Sequence, residues 1–418
     1  MVGAKRKGFS LIELLVAMGV VYMVCAYILG LFSSGYRCQA RNREYTTTLF
    51  LARSKMERLC CLPVECIASS QTGKCEEPYG SYRWKSSVSE FDKNLKLLTV
   101  EVKSPRGACS TLQCLRRNHV FQGVDCDPFS DQVVWSAPKS GALTLLQSSK
   151  SSVLRQLVIN KGTAKLATIG GLSGVPGRGV MWATASDKGQ IGYYAFDANN
   201  GVSKSRTLTA SAPKDGYAPI FTGVVADCWA NNFYGADIAN AAIWIAQDGG
   251  GTLRWSASSP LRPQAVPLRE PMGLALDESA SVLWIAEAGV HALRPLILKP
   301  EANPQGTGVE IIKGVGWWGA RVAPSQGSGE MSGVAVNPWS SAVYAVDSSH
   351  LHRLIYVSAA GGRFTAQWQS YALPGELQKL FPSGLCCDAY NDVLFINTKY
   401  GKLWRVNMRG TISFSAVR

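Results

Sequence analysis

Lys5-Arg6-Lys7-Gly8-Phe9-Ser10-Leu11-Ile12-Glu13-Leu14-Leu15-Val16-Ala17-Met18 passes from three cations into an apolar run that continues to Phe32 with Glu13 as its single charge. As a helix, residues 9–32 would extend about 36 Å, enough to cross a hydrocarbon core of about 30 Å. A secretory signal would have a shorter apolar core and a small-x-small cleavage site beyond it, and neither is present. A lipoprotein signal needs a small residue before its cysteine, whereas Val24 precedes Cys25. A carboxylate inside an apolar span costs a few kcal/mol unless it meets a partner. Cleavage between Gly8 and Phe9 would supply one: the new ammonium at Phe9 lies one helical turn before Glu13 and can neutralise it within or between subunits.

The run Gly8-Phe9-Ser10-Leu11-Ile12-Glu13 closely resembles the type IV prepilin motif. The resemblance implies that a prepilin peptidase cuts after Gly8 and methylates Phe9, and that Glu13 promotes subunit docking in a filament. It also implies the partners: other pilin or pseudopilin subunits through the helix, and the inner membrane before assembly. Orientation follows from the motif, because Lys5, Arg6 and Lys7 are balanced by Arg37, Arg41 and Arg43 beyond the span. The C-terminus is expected outside the cytoplasm, on a cell-surface pilus or a periplasmic pseudopilus.

Outward from this segment, no proline occurs before Pro63, so a helix over residues 9–61 is expected, its membrane part at 9–32. Tyr45, Leu49, Ala52, Met56 and Leu59 form a 4-3-4-3 stripe that needs a partner surface. Tyr82–Val88 and Leu95–Val102 alternate as half-buried strands do. A long helix followed by a small antiparallel sheet resembles the pilin and pseudopilin fold. The expected division is a leader at 1–8, the helix, a small pilin-like β domain at 62–118, and a large remainder at 119–418.

That remainder carries a repeat. Six segments share the form apolar, apolar, aromatic: Val133-Val134-Trp135, Val180-Met181-Trp182, Ala242-Ile243-Trp244, Val282-Leu283-Trp284, Ala342-Val343-Tyr344 and Val393-Leu394-Phe395. In four copies a glycine, Gly123, Gly273, Gly333 or Gly384, opens the unit eleven or twelve residues earlier, followed by Asp127, Asp277, Asn337 or Asp388 in a turn. The 171–182 unit shows no clean opening and the 223–244 unit reads as carrying an insertion. Units of several strands that cannot bury their apolar faces alone predict radial packing. The pattern resembles the NHL and related six-bladed propellers. The fold class is therefore an α+β pilin-like N-terminal part followed by an all-β propeller of six blades.

With 46% hydrophobic and 17% charged residues the 418-residue chain can bury sizeable cores, which argues against global disorder. The net charge of +14 is concentrated in the neck: residues 37–119 hold 15 Lys/Arg against 8 Asp/Glu, and residues 120–418 hold 25 against 20. Anionic phospholipid is a better match for that neck than nucleic acid is for the propeller, which lacks a basic stripe. Twelve cysteines in clusters suit disulfides formed outside the cytoplasm. The candidates are Cys60, Cys61, Cys66, Cys75, Cys109, Cys114 and Cys126, with Cys386 or Cys387 as a latch to Cys126 that closes the ring. No paired CxxC knuckle supports a zinc site at these cysteines.

Propellers of related shape include calcium-dependent lactonases, and Asp125, Asp227, Asp277, Asn337 and Asp388 are the residues that could hold such an ion. Asp and Asn at these points more commonly close turns. His350 and His352 share a strand face without a nearby third ligand and are expected to be surface detail. Gly249-Gly250-Gly251 lacks the ending a phosphate loop needs and is expected to be a turn. Phe129, Trp339 and Tyr390 recur in register, and Trp317 and Trp318 are the expected exposed contacts for an extracellular ligand. Catalytic residues, cofactors and metals are not expected. The leading function is a minor modular pilin displaying its propeller at a filament tip. The alternatives are a pseudopilin of a type II secretion-like machine and a membrane-tethered lactonase-like enzyme.

Overall fold

The computed structural model describes residues 11–60, 67, 69–92, 95–117, 124–127, 132–136, 142–147, 152–158, 169–175, 180–185, 189–196, 202–213, 217–227, 232–248, 252–298, 310–312, 315–327, 329–337, 339–340, 342–358, 364–389 and 391–417. The chain divides into two compact units, Met1–His119 and Val120–Arg418.

In the first unit α1 (Leu11–Cys60) runs unbroken for 50 residues. Thr46 and Thr47 turn their hydroxyls back onto the carbonyls of Asn42 and Arg43, 2.8 Å away in each case, so their polar groups are satisfied within the helix. The C-terminal part of α1 packs on an antiparallel sheet of β1 (Ser70–Lys74), β2 (Arg83–Asp92), β3 (Leu95–Lys103) and β4 (Cys109–Arg117), ordered β1-β2-β3-β4. Ala52, Met56 and Leu59 meet Leu98, Val100 and Val102, the inward half of the alternating β3. The stripe differs from expectation at its N-terminal end, where Tyr45 and Leu49 are 52% and 50% exposed and Thr48 is buried. The start of β4 offers a hydroxyl at that point, and Thr48 Oγ1 lies 2.7 Å from Ser110 Oγ. A small polar side chain therefore fits where a larger apolar one was expected.

The second unit contains six antiparallel sheets among the described residues. The first is β5 (Val124–Asp127), β6 (Gln132–Ser136), β7 (Ala142–Gln147) and β8 (Ser152–Val158); the second is β9 (Ile169–Val175), β10 (Val180–Ala185), β11 (Gln190–Phe196) and β12 (Val202–Thr209). The third is β13 (Phe221–Asp227), β14 (Asn232–Asp237), β15 (Ala242–Asp248) and β16 (Leu253–Trp255). The fourth has five strands, β17 (Pro271–Asp277), β18 (Val282–Glu287), β19 (Ala292–Ile297), β20 (Glu310–Ile312) and β21 (Gly316–Trp318). The fifth is β22 (Gly333–Asn337), β23 (Ala342–Val346), β24 (His350–Ser358) and β25 (Phe364–Ala372); the sixth is β26 (Pro382–Asp388), β27 (Val393–Thr398), β28 (Leu403–Asn407) and β29 (Ser413–Ala416). The first strands touch in the cycle β5, β9, β13, β17, β22, β26 and back to β5. Separate sheets whose first strands meet in a closed cycle are the blades of a β-propeller.

Glycine makes that cycle tight. A Cβ on Gly223 would lie 2.8 Å from the Met272 carbonyl oxygen, one on Gly273 3.2 Å from Gly333 Cα, and one on Gly333 3.1 Å from the Gly384 carbonyl carbon. Two of these contacts are reinforced by the residue before the glycine: Thr222 and Ser332 donate their hydroxyls to the carbonyls of Pro271 and Pro382 at 2.8 Å. The ring also includes Gly171, eleven residues before Trp182, so the second blade opens with the same glycine-to-aromatic step as the others.

The third blade corrects the repeat in a second way. Trp244 lies on its third strand, β15, and the second-strand aromatic is Tyr234, eleven residues after Gly223. Tyr234 pairs with Val225 as Trp284 pairs with Ala275, Tyr344 with Ala335 and Phe395 with Cys386. The apparent insertion is therefore an extra strand counted into the interval.

Candidate functional site

Along α1, Leu14–Phe32 forms a 19-residue span of mean hydropathy 2.4 with none of it buried in the protein. Its large apolar side chains, from Leu14 to Phe32, are 43–76% exposed. Such a surface is stable only against lipid or the helices of other subunits. Gly8 and Phe9 lie outside the described residues, and so does the side chain of Glu13.

The propeller contradicts the expected contact surface. Trp317 and Trp318, expected at the surface in a Gly-rich connection, are 7% and 0% exposed. They belong to β21, which pairs with β19 through Ile297 and Leu296. Neighbouring strand residues point to opposite faces, and both faces of this blade are covered. Trp317 therefore packs against the fifth blade, with Val334 and Val343, and Trp318 against the third, with Tyr234 and Ile243. Trp339 is 65% exposed, in the hairpin between β22 and β23. Phe129 and Tyr390 lie outside the described residues, as do Gly249–Gly251.

The carboxylates and amide weighed as calcium ligands are engaged in local structure. Asp277 Oδ1 accepts from Ser279 Oγ at 2.6 Å and the Ala280 N–H at 3.0 Å. Asn337 Oδ1 accepts from the N–H groups of Trp339 and Ser340, and Asp388 Oδ1 from that of Asn391. Asp125 Oδ2 accepts from the Gly174 N–H and links the first blade to the second. Asp227 closes β13. Among the described residues, the side chains grouped closely enough to hold a metal are different ones: His291, Asp347 and His352.

His352, expected to be surface detail, is fully buried on β24. Asp347 follows β23, and its Oδ1 accepts the N–H groups of Ser349 and His350 at 2.6 and 2.5 Å, which turns the chain into β24. That leaves Oδ2 facing two imidazoles: His352 Nε2 at 3.1 Å, and His291 Nε2 at 2.8 Å from the fourth blade. Burial pushes the Asp347 carboxyl up, but the hydrogen bonds from His291, His352 and the two N–H groups outweigh it and hold it well below the usual range. The far nitrogen of His352, Nδ1, lies 2.9 Å from Ser370 Oγ on β25, and His350 stacks on the same ring at 5.8 Å. His291 takes a left-handed conformation, φ 49° and ψ 52°, in the connection between β18 and β19. Asp347 stands only five residues before His352 and was open to a reading of local spacing, whereas His291 comes from a neighbouring blade and spacing along the chain gave no signal of it.

The cysteines fall in separate places. Cys75 and Cys114 border the core of the first unit, and the Cys109 thiol lies 3.3 Å from Glu101 Oε1. Cys61 and Cys66 lie outside the described residues, with the side chain of Cys60. Cys126 on β5 and Cys386 on β26 share one hydrophobic cluster, and their thiols are hydrogen-bonded. Cys387 points to the other face of β26, among Tyr344 and Leu394, so the neighbour of Cys126 is Cys386.

Residues 3–26 match the prokaryotic N-terminal methylation motif. No curated protein matches the chain. Among solved structures, the β-propeller domain of Cps50 (Swd1) from Myceliophteria thermophila shows 11% identity and a TM-score of 0.43, covering 80% of this chain and 98% of that one. A putative 6-phosphogluconolactonase from Bacteroides fragilis shows 10% identity and a TM-score of 0.48, covering 83% and 94%. A protein from Lactobacillus plantarum shows 11% and 0.48, covering 77% and 95%.

An apolar helix that no described residue of the protein covers, followed by a closed ring of sheets, defines a membrane-anchored β-propeller protein. At its head, residues 3–26 carry the prepilin-type methylation motif, and over that segment the chain is similar to type IV pilins and pseudopilins.

Proposed function

We propose that the chain is a minor subunit of a type IV pilus that carries its propeller at or near the filament tip, for adhesion, ligand binding or assembly initiation. The observation that carries this reading is the conjunction of an uncovered apolar span at Leu14–Phe32 with the prepilin-type motif at residues 3–26. A span of that kind anchors the precursor in the inner membrane, where prepilin peptidase processes it, and then packs among the helices of other subunits. The minor stoichiometry rests on size. A compact unit of about 300 residues has a radius of gyration of roughly 19 Å and is about 50 Å across. Packed helices lie about 8–10 Å apart. A filament of this chain alone would have to splay a wide head from every helix, and dilution among small subunits removes the crowding.

Quantitative mass spectrometry of sheared filaments, with immunogold labelling, tests the proposal. Sparse, end-located label is expected. Recovery as the most abundant filament subunit would overturn it. Absence from surface filaments, with loss of exoprotein secretion in a deletion strain, would replace it with the pseudopilus reading.

A further inference from the structure

His291, Asp347 and His352 are brought together from two blades, and their geometry points to a metal rather than to a hydrogen-bonded turn alone. Asp347 needs only Oδ1 to close its turn, through the N–H groups of Ser349 and His350. Its second oxygen is fully buried between two imidazole nitrogens, at 2.8 Å from His291 Nε2 and 3.1 Å from His352 Nε2. Bonds of about 2.0–2.1 Å at tetrahedral angles would hold the donors of a zinc ion roughly 3.3 Å apart. The two imidazole nitrogens therefore need to draw back from Oδ2 by only a few tenths of an ångström, and all three donors already lie within 4.8 Å of one another.

The surroundings of the three donors fit the same purpose. Ser370 Oγ, 2.9 Å from His352 Nδ1, can accept the ring proton when Nε2 coordinates, the usual outer-shell arrangement of a metal-bound histidine. Gly327 passes over the cluster with φ +99°, and a Cβ there would sit 2.3 Å from Asp347 Oδ2 and 3.0 Å from His352 Nε2. Its missing side chain keeps clear the space beside the carboxylate oxygen. The His291 side chain is 22% exposed, which gives an ion a route in and a solvent side for a fourth ligand.

We propose that His291 Nε2, Asp347 Oδ2 and His352 Nε2 bind one divalent transition metal of the zinc class, which staples the fourth blade to the fifth. Two imidazoles and a carboxylate suit zinc over calcium or magnesium, which favour all-oxygen sites. The inference does not depend on the filament reading.

The test uses the full-length chain in detergent, stripped of metal and titrated with zinc chloride under reducing conditions. One equivalent that raises the melting temperature is expected, and His291→Ala should weaken its binding at least 100-fold. Zinc on cysteines is unaffected by that substitution, so the difference between the two proteins reads this site. Cobalt(II) as a probe should give visible ligand-field bands that His291→Ala removes, without the thiolate charge-transfer absorption of a cysteine site. Ser370→Ala should weaken binding about 10-fold, and Gly327→Ala should weaken it by filling the space over Oδ2. Equal zinc stoichiometry and affinity in parent and His291→Ala, or a parent whose melting temperature does not respond to zinc, would overturn the proposal.

Discussion

Gly171 and Gly223 face each other across the first strands of the second and third blades, so close that a Cβ on Gly171 would lie 2.6 Å from the Gly223 Cα. The atoms in the way are backbone, which cannot rotate aside as a flexible side chain can. Gly171→Ala should therefore force β9 and β13 apart and cost about 1–3 kcal/mol, the usual range for overpacking. Thermal denaturation read by circular dichroism checks this. Gly375→Ala, at a position with nothing within 4 Å of the added carbon, is the control and should change stability little.

Trp318 and Trp339 should respond oppositely to truncation. Trp318 is fully buried, so Trp318→Ala should lower stability by about 3–5 kcal/mol through a cavity. Trp339 is 65% exposed, and Trp339→Ala should stay within about 0.5 kcal/mol of the parent. Denaturant midpoints of the two variants measure the contrast. A ligand-binding loss confined to Trp339→Ala would locate a contact on that face of the propeller.

We propose that Cys126 and Cys386 form a disulfide outside the cytoplasm that latches the first blade to the sixth. The same seam carries a hydrogen bond from Trp135 Nε1 to the Gly401 carbonyl at 3.1 Å and one from Asn397 Nδ2 to the Ser136 carbonyl at 3.1 Å. Peptide mapping without reduction should recover the two cysteines linked, and reduction should cost about 2–5 kcal/mol through the long loop it opens. In the reduced chain, the hydrogen bond with Cys386 and burial push the Cys126 thiol up, and burial does the same to Cys386. A raised thiol pKa favours the neutral form, so both should alkylate slowly at pH 8 in the native protein and rapidly in urea.

The mature chain should begin at N-methylated Phe9, which intact-mass analysis of filament-extracted protein reads directly. Glu13→Ala should leave membrane insertion intact, because removing a charge only makes the span more apolar. Its recovery in sheared filaments should fall. Equal recovery of variant and parent would remove the docking role from Glu13.

Local patterns announced the parts of this protein that local forces build. The apolar span, its single carboxylate and the absence of proline before Pro63 predict one long helix, and α1 runs unbroken from Leu11 to Cys60. Alternation in Leu95–Val102 predicts β3, whose inward residues are Leu98, Val100 and Val102. The eleven-residue step from glycine to aromatic announces the blades where the second strand presents the pattern, as in Gly273 to Trp284. At Tyr234 the step holds but the pattern that announces it is missing, because Asn232-Phe233-Tyr234-Gly235 lacks the two apolar residues before the aromatic and Trp244 on the next strand imitates the motif.

The sequence by itself determined an apolar N-terminal segment long enough to cross a membrane and headed by a prepilin-type motif, a helix, and repeated strand units, since each follows from spacing within a few residues. Only the tertiary structure decided which side chains the blades bring together. Trp317 and Trp318 are buried because β21 adds a fifth strand to the fourth blade and neighbouring blades cover both its faces. Cys126 meets Cys386 rather than Cys387 because alternation along β26 turns one toward the first blade and the other toward the fifth. His291 reaches Asp347 and His352 because radial packing lays the fourth blade against the fifth, a juxtaposition across 56 residues that no local spacing encodes.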